Sequence, residues 1–419
     1  MDQKTALKIL HSGENVFITG QAGSGKTFLL NKFINEARKK GKTVAVTATT
    51  GLAATHLNGT TIHSWSGMGV ANSISGNFYS KIRKPRRENI CETDILIIDE
   101  ISMLHDYRLD MVNAILKKIR KNNSPFGGIQ LVMSGDFFQL PPVNRYDDEF
   151  KGGFVTESVA WRQAGLKICY LNEQHRQADE ELSAILTAMR TNNLKRDQVQ
   201  TLLNRIDAEA PSNEIVTKLY TTNRDVDIIN KKELAKIKGK SYFYSQETEG
   251  TKHYVEVLRR AILAAPILEL KKGAHVMSIK NSPDGKYVNG SLGEVVDFKY
   301  GDPVVKFNNG NTVRIKTSEW NLADGEIVLA SIEQIPLKLA WAITVHKSQG
   351  MTLDGAEIDL SRAFVEGMGY VALSRVKNLH SLYLKGLNKM AITVSSEAIE
   401  IDKMLQNFCL LYHIYVYFL

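Results

Sequence analysis

The segment "GQAGSGKT", residues 20 to 27, places glycines at a fixed spacing ahead of a lysine and a hydroxyl. Gly20, Gly25, Lys26 and Thr27 fit the pattern G-x-x-x-x-G-K-[ST], in which backbone N–H groups surround a polyphosphate. Glycine suits this loop because it adopts positive φ and leaves room where a side chain would meet the phosphate. The lysine then contacts the β- and γ-phosphates, and the threonine is a ligand for Mg²⁺. The segment therefore predicts a site for ATP and magnesium.

Two further segments carry the acids and amides that phosphate hydrolysis needs. In "ILIIDEIS", Asp99 and Glu100 follow an apolar run, so they would emerge where a parallel sheet binds its ligands. We expect Asp99 to join the Mg²⁺ shell and Glu100 to orient and deprotonate the attacking water. In "LVMSGDFFQLPPV", Gln139 is placed to sense the γ-phosphate. Phe138 and Pro141 beside it fit either loop packing or contact with a base.

Hydrolysis also needs positive charge at the γ-phosphate beyond Lys26, and a motor usually takes it from a neighbouring domain so that ATP closes a cleft. Two arginines are candidates: Arg176 in "LNEQHRQ" and Arg375 in "YVALSRVKN". Each alone also fits a surface or helix-cap arginine.

Two polar clusters predict a groove for a phosphate backbone. "TVHKSQG" places His346, Lys347 and Ser348 directly after a buried strand, and "GTTIHSW" contributes Thr61 and His63. The excess of 53 Lys and Arg over 45 Asp and Glu, a net charge of +8, suits a polyanionic partner without proving one. The basic run 81–87 fits either a solvated loop or phosphate contact.

The elements that must position these residues alternate between strand and helix. "NVFIT", "KTVAVTA", "DILIID", "IQLVMSG" and "LKICYL" read as buried strands separated by helical stretches. Such alternation predicts an α/β fold with a parallel sheet and crossover helices. "IVTKLYTT" begins a second α/β unit, and short strands with Gly and Asn turns between about 231 and 330 predict an inserted small β-barrel.

Composition predicts a cytoplasmic protein. Cys91, Cys169 and Cys409 are far apart and form no C-x-x-C pair, which disfavours a disulfide framework or a zinc site. No signal-peptide core or membrane-length apolar run is visible. The apolar and aromatic stretch 408–419, within the tail 404–419, fits a final strand, an interface or a truncation, and we assign it no function.

The order of these motifs resembles the Pif family of superfamily-one DNA helicases, named for petite integration frequency. The resemblance runs from about residue 1 to residue 390. Its motifs are "GQAGSGKT", "TATTGLAATHLNGTTIHSW", "ILIIDEISML", "PFGGIQLVMSGDFFQLPPV", "LNEQHRQ", "VNGSLGEVV", "TVHKSQGMTLDGAEIDL" and "GYVALSRVKNL", together with the family signature block "LHDYRLDMVNAILKKIRKNNSPFGGIQ".

The resemblance implies two RecA-like P-loop NTPase domains with parallel sheets, a small wedge insertion and a β-barrel-like accessory insertion. The implied boundaries are 1–58 and 90–170 for the first RecA-like domain, 59–89 for the wedge, 171–230 and 331–403 for the second RecA-like domain, 231–330 for the accessory domain and 404–419 for the tail.

The resemblance also implies roles for individual residues. Gln3 would contact adenine, and Arg176 and Arg375 would reach the γ-phosphate. The nucleotide would be bound by Gly20, Ala22, Gly23, Ser24, Gly25, Lys26, Thr27 and Phe28. Thr50, Gly51, His63, His346 and Lys347 would lie along the DNA strand. Thr61 and Ser348 of the polar clusters, with Phe138 and Pro141 if they contact a base, complete the candidate DNA site.

A family member would be an ATP- and Mg²⁺-dependent motor that moves 5′ to 3′ on single-stranded DNA. It would unwind duplex and forked DNA, G-quadruplexes and RNA–DNA hybrids in repair, recombination and genome or telomere maintenance. It would act as a monomer or a DNA-induced dimer. It would have no membrane partner and, in a bacterium, would lie near the nucleoid. Three alternatives stay open: a RecD-like helicase subunit, a DNA-binding P-loop protein without turnover, and a small-molecule kinase. The last explains neither "TVHKSQG" nor a second α/β unit.

Overall fold

The computed structural model of the chain describes residues 1–417 apart from 58, 70, 75, 145–150, 175, 177–178, 207, 211–215, 283, 288, 325–326 and 354. The chain divides into two compact units, which are described separately. The first unit comprises Met1–Gln198, Phe364–Ser374 and Lys389–Leu419, and the second comprises Val199–Ala363 and Arg375–Asn388.

The α-helices follow the amphipathic stretches of the sequence. They are α1 Gln3–His11, α2 Lys26–Lys39, α3 Gly51–His56, α4 Ile62–Trp65, α5 Lys84–Glu92, α6 Asp106–Arg120, α7 Val159–Gln163, α8 Glu180–Arg190, α9 Arg196–Leu203, α10 Asn223–Lys236, α11 Lys252–Ala261, α12 Met368–Leu373 and α13 Ser396–Tyr417.

The first unit is built on a parallel sheet of six strands. These are β1 Val16–Gly20, β2 Val44–Ala48, β3 Thr60–Thr61, β4 Ile95–Asp99, β5 Gln130–Ser134 and β6 Lys167–Leu171. Their order across the sheet is β3-β2-β4-β5-β1-β6, with every pairing parallel. Since all strands point the same way, the residues that follow β4, β5 and β1 meet at one edge of the sheet.

The sheet buries continuous apolar runs because crossover helices cover it. Helix α2 buries Leu29, Leu30 and Phe33 in the same core as Val16 and Ile18 of β1. Phe28, which is predicted to contact the nucleotide, is 65% exposed. The buried face of the helix therefore begins at Leu29.

The second unit has a smaller parallel sheet and several antiparallel strands. The strands are β7 Thr217–Tyr220, β8 Tyr242–Ser245, β9 Glu247–Gly250, β10 Ile267–Leu270, β11 His275–Ser278, β12 Leu292–Lys299, β13 Asp302–Phe307, β14 Thr312–Arg314, β15 Ser318–Asp324, β16 Ile327–Gln334, β17 Leu337–Leu339, β18 Ala342–Thr344, β19 Ala356–Leu360 and β20 Leu382–Leu387. The parallel sheet has the order β18-β7-β19-β20.

The segment between α10 and β18 is rich in antiparallel strands, as the sequence predicted. Its described strands pair as three sheets, β14-β13-β12-β11-β17, β15-β16-β9 and β10-β8, instead of one closed barrel. Helix α11, with Val255 and Leu258 buried, also interrupts the segment and had no counterpart in the prediction. The predicted α/β fold class, with parallel sheets and inserted elements, is confirmed.

The two compact units differ from the predicted domain boundaries at three places. Residues 171–198, 364–374 and 389–403 were predicted in the second RecA-like domain but cluster with the first unit. The cause is long-range contact: β6 pairs with β1, and Arg190 of α8 and Tyr370 of α12 both bond Asp136. Such contacts leave no local signal in the sequence.

The C-terminal segment is helical where described. Helix α13 begins at Ser396 and continues to Tyr417, so a final strand, one of the possibilities considered for the tail, is wrong. Its early residues Ala398, Ile401 and Leu405 are buried. Among the described helices, none combines the length and the apolar character needed to cross a bilayer.

Candidate nucleotide and DNA sites

The phosphate-binding loop lies between β1 and α2, as its glycine pattern predicts. Gly20 has φ +144°, and a Cβ there would lie 2.6 Å from the carbonyl oxygen of Leu171. Gly25, with φ +83°, is the residue before the first turn of α2. Both positions exclude a side chain, one by contact and both by backbone conformation. The loop thus directs its N–H groups and the helix N-terminus to the same edge, an arrangement suited to anions.

Lys26 lies back across its own loop. Its Nζ donates to the carbonyl of Gly20 at 2.8 Å and to that of Gln21 at 3.0 Å. Burial lowers the pKa of Lys26, while the charges of Asp136 and Glu100 oppose that shift. The ammonium is therefore held beside the loop by carbonyls and by acids of neighbouring strands.

The acid pair emerges from β4, two strands from β1. Asp99 is only 6% exposed, and burial raises its pKa, against the effects of the Glu100 backbone N–H, the Ser134 hydroxyl and Lys26. Glu100 has φ +53°, a left-handed conformation that is uncommon outside glycine and that concentrates at functional sites. The strand end therefore turns sharply at the acid predicted to act on water.

The residues fit a magnesium ion. A cation would favour the ionised form of Asp99 that burial disfavours, and Thr27 is exposed in the first turn of α2. Within the described residues, no group of three or more His, Cys, Asp or Glu could hold a metal by itself. The pair Asp99 and Thr27 suits Mg²⁺, because this ion usually takes one or two protein ligands and completes its shell with waters and substrate phosphates.

Gln139 follows β5, the strand between β4 and β1. Its Nε2 donates to Oδ2 of Asp136 at 3.3 Å, and the residue is 5% exposed. Its Oε1 is buried without a hydrogen-bond partner among the described residues. An acceptor left unsatisfied at a strand end is uncommon and marks a position where a ligand or water completes the bonding.

Asp136 is the centre of a buried polar network. Its Oδ1 accepts from Arg190 Nη1 at 2.8 Å and from the Phe138 N–H at 3.2 Å, and its Oδ2 accepts from Tyr370 Oη at 3.3 Å and from Gln139. Burial acts to raise the pKa of Asp136, but the charges of Arg190 and Lys26 and the hydrogen bonds from Gln139 and Arg190 lower it. The carboxylate is therefore ionised and fully bonded.

Phe138 does not face the solvent. It is 2% exposed, and the guanidinium carbon of Arg190 lies 4.0 Å from the centre of its ring. Of the two interpretations of the sequence, loop packing is thus what the structure has, and contact of Phe138 with a base is not supported. Pro141 is only partly buried and remains accessible.

Two further predicted nucleotide residues lie in the first unit. Gln3 Nε2 donates to the carbonyl of Ser24 at 3.5 Å, which places it at the phosphate-binding loop. Arg176 Nη1 donates to the carbonyl of Ser374 at 3.2 Å, and burial lowers its pKa while Tyr370 and Glu100 oppose that shift. Arg176 therefore clusters with the first unit and interacts with Glu100 of that unit, whereas the sequence predicted Arg176 in the second domain.

Arg375 belongs to the second unit and is 1% exposed. Its Nη1 donates to the carbonyls of Ser348 and Met351, each at 3.4 Å. The side chain is therefore bonded to the turn that follows "TVHKS".

The DNA-binding candidates of the first unit lie after two neighbouring strands. Thr50 and Gly51 follow β2, Thr61 is the last residue of β3 and His63 follows it, and β3 pairs with β2 in parallel. Thr50 and Thr61 accept hydrogen bonds from the Ala53 and Ser64 N–H groups. Burial, aided by the charges of Arg108 and His105, lowers the pKa of His63 to about 4, so its imidazole is neutral at physiological pH.

The candidates of the second unit form a short 3₁₀ turn, His346–Ser348, directly after β18. His346 and Lys347 are partly exposed, whereas Ser348 is fully buried and its Oγ donates to the carbonyl of Val345 at 2.7 Å. The Ser348 side chain therefore stabilises the turn, and the prediction that it binds DNA is not supported.

Several residues of these sites escaped the sequence reasoning. Asp136 lies just beyond the end of β5, and Asp99 is the last residue of β4, so the position of Asp136 could have been recognised. Lys338, whose pKa burial and the charge of Lys347 lower to about 7, interrupts an apolar strand and was also detectable. Arg190 lies on an unremarkable helix and gave no signal, and Tyr370 lies within the motif "GYVALSRVKNL", where nothing indicated a contact with the phosphate-binding loop.

The chain is similar to known helicases in both sequence and structure. A family model described as PIF1-like helicase matches residues 1–203. An "ATP-dependent DNA helicase Pif1" from a Psychrobacter species is 41% identical over 98% of this chain, which spans 71% of that relative.

Two solved structures are also similar over nearly the whole chain. The Pif1 helicase of Candida albicans is 36% identical, with a TM-score of 0.84 over 96% of this chain and 98% of that one. A Bacteroides Pif1 helicase in complex with ADP-AlF3 and single-stranded DNA is 29% identical, with a TM-score of 0.73 over 97% of this chain and 96% of that one.

Proposed function

This chain belongs to the PIF1-like helicase family, and from that premise we propose that it moves 5′ to 3′ along single-stranded DNA. It is an ATP-dependent DNA helicase. We further propose that it unwinds forked duplexes, G-quadruplexes and RNA–DNA hybrids, and that it serves DNA repair, recombination and genome or telomere maintenance. The motor acts as a monomer that can pair on DNA, in the cytoplasm near the nucleoid if the source is bacterial.

One observation carries the ATPase part of the proposal. Three adjacent strands, in the order β4-β5-β1, deliver the acid pair, Gln139 and the phosphate-binding loop to a single sheet edge. A nucleotide bound by residues 20–27 and by Gln3 would present its γ-phosphate to Glu100 and Gln139. Lys26 leaves its loop carbonyls to bind the β- and γ-phosphates.

Hydrolysis is a matter of positioning and charge, since phosphoryl transfer needs little covalent chemistry from the protein. Glu100 orients the attacking water and accepts its proton, and Gln139 donates its amide to the γ-phosphate or to that water. Thr27 and Asp99 would hold Mg²⁺, which would neutralise charge on the phosphate oxygens. Arg176 and Arg375 contribute positive charge to the γ-phosphate as hydrolysis proceeds.

The DNA part of the proposal rests on residues in both units. Thr50, Gly51, Thr61 and His63 lie at one sheet edge of the first unit, and the turn after β18 contributes His346 and Lys347 in the second. Neutral imidazoles, hydroxyls and backbone N–H groups are typical of contacts to phosphate and sugar, which fix position without reading sequence. Support also comes from the Bacteroides relative with bound single-stranded DNA.

Forked duplexes with a single-stranded tail of one polarity test the proposal. We expect rapid ATP-dependent strand separation with a 5′ tail and little with a 3′ tail, and activity on a 5′-tailed RNA–DNA hybrid and a 5′-tailed G-quadruplex. Faster unwinding from the 3′ tail would contradict the direction. Binding without DNA-stimulated phosphate release would instead favour a DNA-binding protein without turnover.

A further inference from the structure

We propose that Tyr370 is a positioning residue of the ATP site, which holds the phosphate-binding loop through the backbone N–H of Ala22. Tyr370 touches no phosphate in this account and acts only on the loop. The inference rests on the proposed assignment of residues 20–27 as the nucleotide loop.

The contact is direct and buried. The Ala22 N–H donates to Oη of Tyr370 at 3.1 Å, and the two residues are 4% and 1% exposed. Ala22 lies in the middle of the loop, between Gly20 and Gly25. A backbone donor in such a loop normally points toward phosphate or water, so a protein acceptor there fixes the local conformation.

The hydroxyl is itself held in one orientation. Arg190 Nη1 donates to Tyr370 Oη at 3.0 Å, and Tyr370 Oη lies 3.3 Å from Oδ2 of Asp136. A phenol has one proton, and both Arg190 and Ala22 are donors, so that proton must go to Asp136. Burial raises the pKa of Tyr370 to about 12, in agreement with a hydroxyl that keeps its proton.

The same carboxylate holds the predicted γ-phosphate sensor. Asp136 Oδ2 also accepts from Nε2 of Gln139, so the loop N–H and the sensor amide are positioned by one bonded group. Arg190 stabilises the Asp136 carboxylate through a buried ion pair. Through Asp136, Tyr370 thus fixes the position of the loop relative to Gln139, the residue predicted to contact the γ-phosphate.

The chain supplies a matched control on the other side of the same guanidinium. Arg190 Nη2 donates to Oη of Tyr170 at 3.2 Å, and Tyr170 Oη donates to Asp402 at 2.9 Å. Tyr170 is partly buried, and in the described contacts its hydroxyl bonds Arg190, Asp402 and Gln406 but no residue of the loop. Tyr170→Phe therefore removes an equivalent hydroxyl from the network without touching Ala22.

The experiment compares Tyr370→Phe with Tyr170→Phe in the full-length protein. We expect Tyr370→Phe to raise the Kd of a fluorescent ATP analogue, and the KM for ATP, about three- to tenfold, the range for loss of one hydrogen bond. Tyr170→Phe should stay within about twofold of wild type in both quantities. The stabilisation that the analogue gives against heat, measured from each variant's own baseline, should be smaller only for Tyr370→Phe.

If the substitutions acted only by lowering stability, Tyr370→Phe and Tyr170→Phe would weaken nucleotide binding alike. If both variants weaken nucleotide binding alike, or if Tyr370→Phe leaves it unchanged, the Tyr370 proposal is overturned. The baseline-referenced thermal shift keeps the test valid even if a variant melts early. If wild type fails to bind the analogue, or if Lys26→Ala binds it as tightly as wild type, then the proposed nucleotide site is wrong instead.

Discussion

The two units use the same structural device to different ends. In the first, β1 is followed by a glycine loop and then α2, whose N-cap Gly25 has no side chain to offer its first turn. In the second, β7 is followed by α10, whose N-cap Thr222 accepts from the Asp225 N–H and so bonds its own helix end. A parallel strand and a following helix are common to both units, but only the first leaves its N–H groups for an anion.

The difference extends to the neighbouring strand ends. The first unit supplies two buried acids and a buried amide, Asp99, Asp136 and Gln139, around Lys26. The second supplies an imidazole and an ammonium after β18. We infer that most of the nucleotide chemistry belongs to the first unit, to which the second adds Arg375, and that the turn after β18 binds phosphate backbone. The predictions below test the contributions of the two units.

The largest effect should follow Lys26→Ala. Loss of the ammonium removes the charge that binds the β- and γ-phosphates, so we expect DNA-stimulated phosphate release to fall below detection. Binding of single-stranded DNA, measured by fluorescence anisotropy, should persist. Lys32→Ala, at an exposed position on the same helix, is the control and should retain full turnover. Normal hydrolysis by Lys26→Ala would disprove the nucleotide site.

Arg375→Ala tests whether the second unit contributes to hydrolysis. As for other arginines that act on a γ-phosphate, we expect hydrolysis to slow by about a thousandfold while the Kd for nucleotide changes little. Arg375 also bonds the carbonyls of Ser348 and Met351, so its loss could destabilise the protein. Arg375→Lys is therefore tested as well, and the melting temperatures of both variants are compared with that of wild type. A fall in stability and in DNA binding with hydrolysis intact would assign Arg375 to structure alone.

His63 should make the first unit sensitive to acid. Its pKa is about 4 in the folded protein and about 6.5 when unfolded, so the unfolded state binds the extra proton between those values. Its stabilising contribution is complete above about pH 6.5 and is lost as the pH falls through 4. Between pH 7 and pH 5 the loss should be about 1–2 kcal/mol of unfolding free energy.

His63→Gln should remove that loss in urea titrations, because glutamine takes up no proton. His380→Gln, at an exposed histidine of the second unit, is the control and should leave the pH dependence unchanged. Equal effects of the two substitutions would refute the burial of His63 as the cause.

The smallest effect should follow Lys347→Ala. Loss of one phosphate contact should weaken binding of single-stranded DNA a few-fold and reduce the slope of log K against log salt by about 0.7. Nucleotide affinity without DNA should not change, in contrast to Lys26→Ala. Lys232→Ala, at an exposed position on α10, should leave both the affinity and the slope as in wild type. A salt slope unchanged by Lys347→Ala would remove this residue from the DNA site.

Local patterns predicted the parts of the molecule that local contacts decide. The glycine spacing of residues 20–27 and the apolar run before Asp99 indicated a strand, a loop and their chemistry, because each depends on neighbouring residues alone. The same reasoning could not decide whether Phe138 and Ser348 face solvent, since that depends on what packs over a strand end. Both proved to be buried.

Long-range structure was the part that the sequence could not provide. Residues 364–374 return to the first unit because Tyr370 bonds Ala22 and Asp136, which are distant in the chain. The Arg190 network likewise joins β6, α8, α12 and α13 through single polar atoms. No periodicity or motif records such contacts, so the unit boundaries and the positioning role of Tyr370 emerged only from the structure.

The central claim, that ATP hydrolysed at the first unit moves the protein 5′ to 3′ along single-stranded DNA, is tested most directly by displacement of streptavidin from biotinylated oligonucleotides. With ATP, streptavidin at the 3′ end should be displaced rapidly and streptavidin at the 5′ end should stay bound, and Lys26→Ala should displace neither. Displacement from the 5′ end, or equal displacement from either end without ATP, would contradict the account.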